Sequence, residues 1–206
     1  MARLANAAIA LGILAPLLGL GCATPTELSG VWVTESPAPL SRILVIGVAR
    51  TESSRRTFED RFVEALAERG TSAVASYTLL PGEGRIEESA IRAAVREHGF
   101  GGVIVTRLLR IDEETTYVPP TTRVVPGGYG GYGLYGYYGM AWSVETTPGY
   151  TQTTRIVRLE TNLYDTASEK LVWTAHSDTL NPDSPEDAIG SVTEAIADRL
   201  ADDGLL

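Results

Sequence analysis

Residues 42–49 read RILVIGVA, and after Arg42 no polar side chain interrupts the run. A strand sends alternate side chains to opposite faces, so a strand without polar alternates needs cover on both faces. That requirement implies a layered fold, and the following segments supply the layers. SSRRTFEDRFVEALAERG places Phe58, Phe62, Val63 and Leu66 on one helical face, with Ser53 or Ser54 to cap the start and Gly70 to close the end. TSAVASYTLL (71–80) reads as a second strand, ended by the turn-forming PGEG. A second helix over IEESAIRAAVREHG gathers Ile86, Ala90, Ile91, Ala94 and Val95, and stops at Gly99. GGVIVTRLLRI (101–111) is a third strand. Short joints between these elements imply right-handed crossovers.

Past residue 150 the rhythm changes to alternation. In TRIVRLETNLYD, Val157, Leu159, Thr161 and Leu163 face one way, and Arg158, Glu160, Asn162 and Tyr164 the other. EKLVWTAHSDTL (169–180) follows after a few turn residues, which predicts an antiparallel hairpin. The tail SPEDAIGSVTEAIADRLADDG predicts a helix capped by Ser184, with Pro185 in its first turn, a buried stripe of Ile189, Val192, Ile196 and Leu200, and Gly204 beyond its end. The expected fold class is α/β (α+β): a layered sheet in the order βαβαβ, long loop, ββα, with helices packed on it. The 206 residues and 44% apolar content suit one domain plus processing segments.

The amino terminus, MARLANAAIALGILAPLLGLGC, has one charge, Arg3, and an apolar stretch from Ile9 to Leu20 broken by Pro16. It is short for a transmembrane helix and has the layout of a secretory signal over residues 1–21. It ends at Gly21 and Cys22, the sole cysteine, which excludes an internal disulfide. The segment resembles a bacterial lipobox, with Gly19 where such boxes usually carry leucine. That resemblance implies cleavage before Cys22 and its acylation. Ala23 in place of aspartate implies the outer membrane of a Gram-negative bacterium, with the chain facing the periplasm. An ordinary signal cut nearby is the alternative. Residues 22–41, rich in Pro, Ser and Thr, read as a lipidated cysteine and flexible tether, leaving residues 42–206 as a single domain.

ILVIGVA, GVIVTRLLRI and the hairpin LETNLYDTASEKLVW, with Asp165 in the turn and Leu171, Val172 and Trp173 in the return strand, give the chain a wider likeness. It resembles TolB amino-terminal domains, curli-secretion lipoproteins and penicillin-binding-protein activator lipoproteins over roughly residues 42–204, apart from an insertion at about 115–150. The resemblance implies this fold and an envelope location, with no catalysis in the domain.

Chemistry finds few candidates. Gly128, Gly130 and Gly133 fit G-x-G-x-x-G, but Pro119, Pro120 and Pro126 precede them and neither a buried strand nor a helix start flanks them, so a dinucleotide site is not expected. PGEGR (81–85) lies at a strand-to-helix joint where Arg85 could meet an anion, or simply solvate a turn. His98 and His176 match neither a nucleophile elbow nor a zincin motif, and no zinc set or other cofactor is expected. With a net charge of −9 and Lys170 the one lysine, nucleic acid is not an expected partner. The insertion stands out: Tyr129, Tyr132, Tyr135, Tyr137, Tyr138 and Trp142 offer large contact area among glycines. Self-packing or disorder, a partner or self-association surface, and membrane insertion all remain open for it. The expectation is a non-enzymatic, lipid-anchored envelope protein serving binding or assembly. The alternatives are a subunit of an oligomeric outer-membrane secretion channel and an envelope hydrolase.

Overall fold

The computed structural model describes residues 24–35, 38–80, 82, 84–127, 133–140 and 142–206. The apolar run forms β2 (Ile43–Val48), paired in parallel with the short β3 (Ala73–Ala75) and with β4 (Gly102–Val118). Ile43 and Val45 meet Phe58, Phe62, Ala65 and Leu66 of α1 (Glu52–Glu68) on one face. Leu44 and Ile46 meet Phe100, Val103 and the side chains Ile91 and Val95 of α2 (Glu88–His98) on the other. Ile43, Leu44 and Val45 are each 0% exposed, so the both-sided cover expected of this strand is what it has. Each fully buried aliphatic side chain contributes about 1.5–3 kcal/mol of burial.

The remainder of the sheet is antiparallel. β7 (Tyr150–Asp165) pairs with β4, β8 (Lys170–Leu180) with β7, and β1 (Thr26–Val33) with β8, giving the order β1-β8-β7-β4-β2-β3. α4 (Pro185–Asp202) lies beside α1 and lays Val192, Ile196, Ala197 and Leu200 against Leu163, Trp173 and Ala175. Ser184 caps it as expected, its Oγ accepting from the Asp187 N–H at 3.0 Å. At the far end of α1, Arg69 reaches across to Glu194 (2.7 Å) and Asp198 (2.7 Å) of α4.

Three sequence expectations need correction. A flexible tether over residues 22–41 gives way to β1, which occupies Thr26–Val33 at the sheet edge. Leu28 and Val33 are drawn to the α4 face because the antiparallel ladder to β8 pairs the chain's polar groups and lets those side chains join the main core. The second strand, expected over 71–80, keeps only three residues. At Ser76 the chain enters a 3₁₀ turn, since the Ser76 hydroxyl and Tyr77 N–H both donate to the buried Glu59. The insertion at 115–150 begins as strand: past a bulge at Leu109, β4 and β7 stay paired out to Val118 and Tyr150. Beyond them lie β5 (Thr121–Pro126), α3 (Leu134–Met140) and β6 (Trp142–Thr147), with β5 and β6 forming a separate two-stranded sheet.

Candidate functional site

Two places combine chemistry with access: a cleft at the carboxyl ends of the parallel strands, and the arm formed by the outer halves of β4 and β7.

The cleft, about 390 Å³, lies between Gly47 and Val48, the start of α1 and the 82–86 connection. Thr51 caps α1, its Oγ1 accepting from the Ser54 N–H at 3.2 Å, two positions before the first of the serines expected to do so. One turn in, Arg55 and Glu59 form an ion pair (2.9 Å) with side chains 6% and 0% exposed. Glu59 Oε1 accepts from the Gly47 N–H (2.9 Å), Arg55 Nε (2.9 Å) and Ser76 Oγ (2.7 Å), and Oε2 from the Tyr77 N–H (2.9 Å). Arg55 also donates to the carbonyls of Gly82 and Leu80, both at 3.2 Å. Buried charges need such company, because each carries a desolvation cost of several kcal/mol. Gly47 makes the approach possible: a Cβ there would come within 3.1 Å of Phe58 Cδ1. The arrangement is a clasp that ties Leu80 and Gly82 to α1 and β2. Its donors and acceptors are engaged by the chain itself. Arg85, the residue singled out beforehand, is exposed at the cleft rim. Sequence reasoning missed Arg55 and Glu59, although their spacing of four on a helix was a visible signal.

The histidines stand apart. His98 ends α2 and lies against Phe100, with ring centroids 6.1 Å apart. His176 is on β8, its Nε2 3.8 Å from Glu160 on β7. Among the described residues no group of three His, Cys, Asp or Glu is placed to hold a metal. Asp203 accepts from Trp173 Nε1 (2.8 Å) and pairs with Arg199 (2.9 Å), which ties the end of α4 to the buried indole.

The arm is the second place. β2 ends opposite Arg107, and β8 ends opposite Ile156. Asn181 closes the edge at Arg155, donating its N–H to the Arg155 carbonyl at 2.7 Å and accepting from the Arg155 N–H at 2.8 Å. From Glu113 to Val118 and from Tyr150 to Thr154, the two strands pair, among the described residues, only with each other, so each leaves one edge free. Pro119–Pro120 and Pro148–Gly149 then interrupt both strands at one level. Gly149 is required at this joint, since a Cβ would collide with the Tyr117 hydroxyl and meet Pro120 Cδ at 2.9 Å. In the tip, Val124 and Val144 face each other across β5 and β6, while Arg123 pairs with Glu145 at 2.8 Å on the opposite side. Of the aromatic residues singled out in the sequence, Tyr135 (89%) and Tyr138 (65%) are exposed on α3, beside Leu134 (73%). Tyr129 and Tyr132 lie outside the described residues. Tyr137 falls in α3 and Trp142 opens β6, with their side chains outside the description. Cys22 also lies outside it. Tyr117 and Tyr150, absent from the expected contact set, are exposed on the stem. They lie outside the glycine-rich run, in segments that carry no aromatic cluster of their own.

Neither a protein-family model nor a curated protein sequence matches the chain. Among solved structures, a PelC dodecamer from Paraburkholderia phytofirmans aligns with 12% identity and a TM-score of 0.45, covering 88% of this chain and 97% of that one. A lipoprotein from Neisseria meningitidis aligns with 12% identity and a TM-score of 0.40, covering 79% of this chain and 99% of that one. Nothing in these likenesses supports the TolB part of the expectation. At such identities and scores they assign this chain no family and no activity.

Proposed function

We propose that this is a non-enzymatic, lipid-anchored protein of the bacterial envelope, acylated at Cys22, whose arm joins it to further copies of itself. The observation that carries the assembly role is the stem of the arm, where Glu113–Val118 and Tyr150–Thr154 each hold an edge with no partner strand among the described residues. A free edge presents a row of backbone donors and acceptors, which a neighbouring strand satisfies at about one hydrogen bond per residue paired. The lipid anchor rests on the short apolar leader and the sole cysteine behind it. The non-enzymatic reading rests on the cleft, where Arg55 and Glu59 are engaged by the chain's own groups, and on the separation of His98 from His176. The outer membrane, with the domain in the periplasm, is the proposed location.

A channel subunit is the second reading, favoured by the continuous pairing of β4 and β7 over the length of the stem. Its strand pattern counts against it. A barrel-forming strand needs an apolar face about 9–11 residues long, whereas Asp112, Glu113 and Glu114 stand in succession at the stem's base.

The test is the size of the protein extracted in mild detergent, full-length and with residues 119–149 replaced by a two-residue turn together with lysines at Thr116 and Thr153. A species well above the 22.0 kDa monomer that falls to monomer in the variant is the expected result. A monomeric full-length protein overturns the assembly role, a closed ring that conducts ions favours the channel, and turnover in a hydrolase screen overturns the non-enzymatic reading.

A further inference from the structure

The anchor and the arm leave the molecule at the same end. Thr26 at the start of β1 pairs with Thr179, and the Leu180 N–H donates to the Pro25 carbonyl at 3.1 Å. Leu180 in turn stands opposite Ile156, and Ile156 opposite Asp112, from which the arm departs. Two strand spacings separate β1 from β7, about 10 Å.

The chain before β1 has little freedom. Ser191 Oγ donates to the Thr24 carbonyl at 2.6 Å, the Thr24 hydroxyl donates to Asp187, and the Thr26 and Ser191 hydroxyls are 2.6 Å apart. Thr24 is thus fastened to the first turns of α4. Ala23 alone lies between it and Cys22, and two residues of chain reach at most about 7 Å. An acylated Cys22 accordingly holds this end of the sheet at the bilayer surface.

The stem from Asp112 to Val118 is about 20 Å long, and the six residues of β5 extend about as far again. An arm of that length, rooted so near the anchor, outreaches the gap. Its tip also has the composition of a membrane interface. Val124, Val144, Leu134, Tyr135 and Tyr138 are all exposed, and tyrosine settles where a ring can sit in lipid with its hydroxyl in water. The Arg123–Glu145 pair on the other side of the tip opposes full burial.

We infer that the tip of the arm, β5, β6 and α3, is a second membrane contact, seated in the headgroup region of the leaflet that holds the acyl chains. The inference rests on the proposed acylation of Cys22. It leaves the free edges of the stem to other copies, and it gives the domain a fixed attitude to the membrane.

The experiment uses the acylated full-length protein in vesicles of phosphatidylethanolamine and phosphatidylglycerol. The lipid thioether blocks Cys22, so Val144→Cys supplies the one thiol for an environment-sensitive fluorophore. Glu97→Cys, exposed near the end of α2 where the opposite end of the sheet begins, is the control. Blue-shifted emission at position 144, quenched by lipids spin-labelled near the headgroup, with water-like emission at 97, is the expected result. Emission at 144 matching that at 97 overturns the inference. Mass spectrometry of the same preparation reports the state of Cys22 separately. Should that residue prove unacylated, vesicle partition of the soluble chain decides. Loss of about tenfold or more on joint substitution of Leu134, Tyr135 and Tyr138 by serine supports the tip contact. Equal partition, or none in either chain, removes it.

Discussion

The base of the molecule and its arm use the same strands in opposite ways. β4 is buried from Gly102 to Ile104 and again at Thr106, where β2 and β7 flank it and helices cover its faces. From Arg107 onward the same strand is mostly exposed and, past the end of β2, has β7 as its one neighbour among the described residues. A two-stranded ribbon by itself is marginal in water, since it buries too little apolar surface to offset the ordering of its backbone. The stem persists because its register is set in the base, where Ile104 faces Leu163 and the Thr106 and Thr161 hydroxyls are 2.9 Å apart. Stability therefore belongs to the base, and exposed surface to the arm.

The largest effect is expected at the centre of the base. Val45→Asp places an unpaired charge where the side chain is wholly enclosed, at a cost of several kcal/mol against a total stability of about 5–15 kcal/mol. The variant should fail to give a cooperative melt by circular dichroism. A native melting curve would move β2 to the periphery and break the contrast.

Next comes the clasp. Glu59→Ala strands the Arg55 guanidinium in the interior and should cost about 3–5 kcal/mol, read as a lowered urea midpoint. The double variant Arg55→Met with Glu59→Leu should recover much of that loss, because it removes both charges together. A double variant as weak as the single one would show that the clasp depends on hydrogen bonds more than on charge balance.

A smaller effect belongs to the β7–β8 turn. The Ser168 hydroxyl (2.6 Å) and N–H (2.7 Å) donate to Asp165 and hold its carboxyl below the usual carboxylate range. With the folded value depressed, the contribution is present above the unfolded value and lost as the pH falls through the folded one. Solvent screening keeps it under about 1 kcal/mol. Asp165→Asn should lower the melting temperature slightly at neutral pH and match the parent at low pH, which flattens the acid limb of the profile. An unchanged acid limb would remove the turn from the base's stabilising contacts.

The smallest effect on stability is expected from the most drastic change. Replacing residues 119–149 by a tight turn should cost the base no stability, since the tip contributes no described residue to either core cluster and a shorter excursion lowers the entropy cost of closure. A collapse of the fold would mean that the tip supports the base, and the division of labour would fall.

Residues with regular periodicity were legible beforehand. The α1 and α4 stripes, the cap at Ser184 and the left-handed Gly99 (φ 63°) at the end of α2 all follow from local pattern. β1 was hidden because Gly30 and a bulge between Ser29 and Trp32 break the alternation of TELSGVWV, and because its partner is distant in sequence. The second strand was overestimated because nothing local announces that Glu59 will draw Ser76 and Tyr77 out of line. The arm was legible in composition as a protruding element but not as strand. Its threonines and tyrosines favour extended backbone, yet they lack the one-sided apolar alternation by which a strand is read.

Pairing of β1 with β8 also sets a timetable. The hydrogen bonds of that ladder join residues 26–33 to residues 173–179, and Thr24 is fastened to α4. A chain delivered amino end first thus presents its earliest strand long before the partner exists. The sheet closes only after nearly the whole sequence has emerged, and closure over such a span is slow and leaves a sticky border waiting. Truncation before residue 170 would therefore cost more than one strand and one helix. It would leave the first-made strand with nowhere to dock.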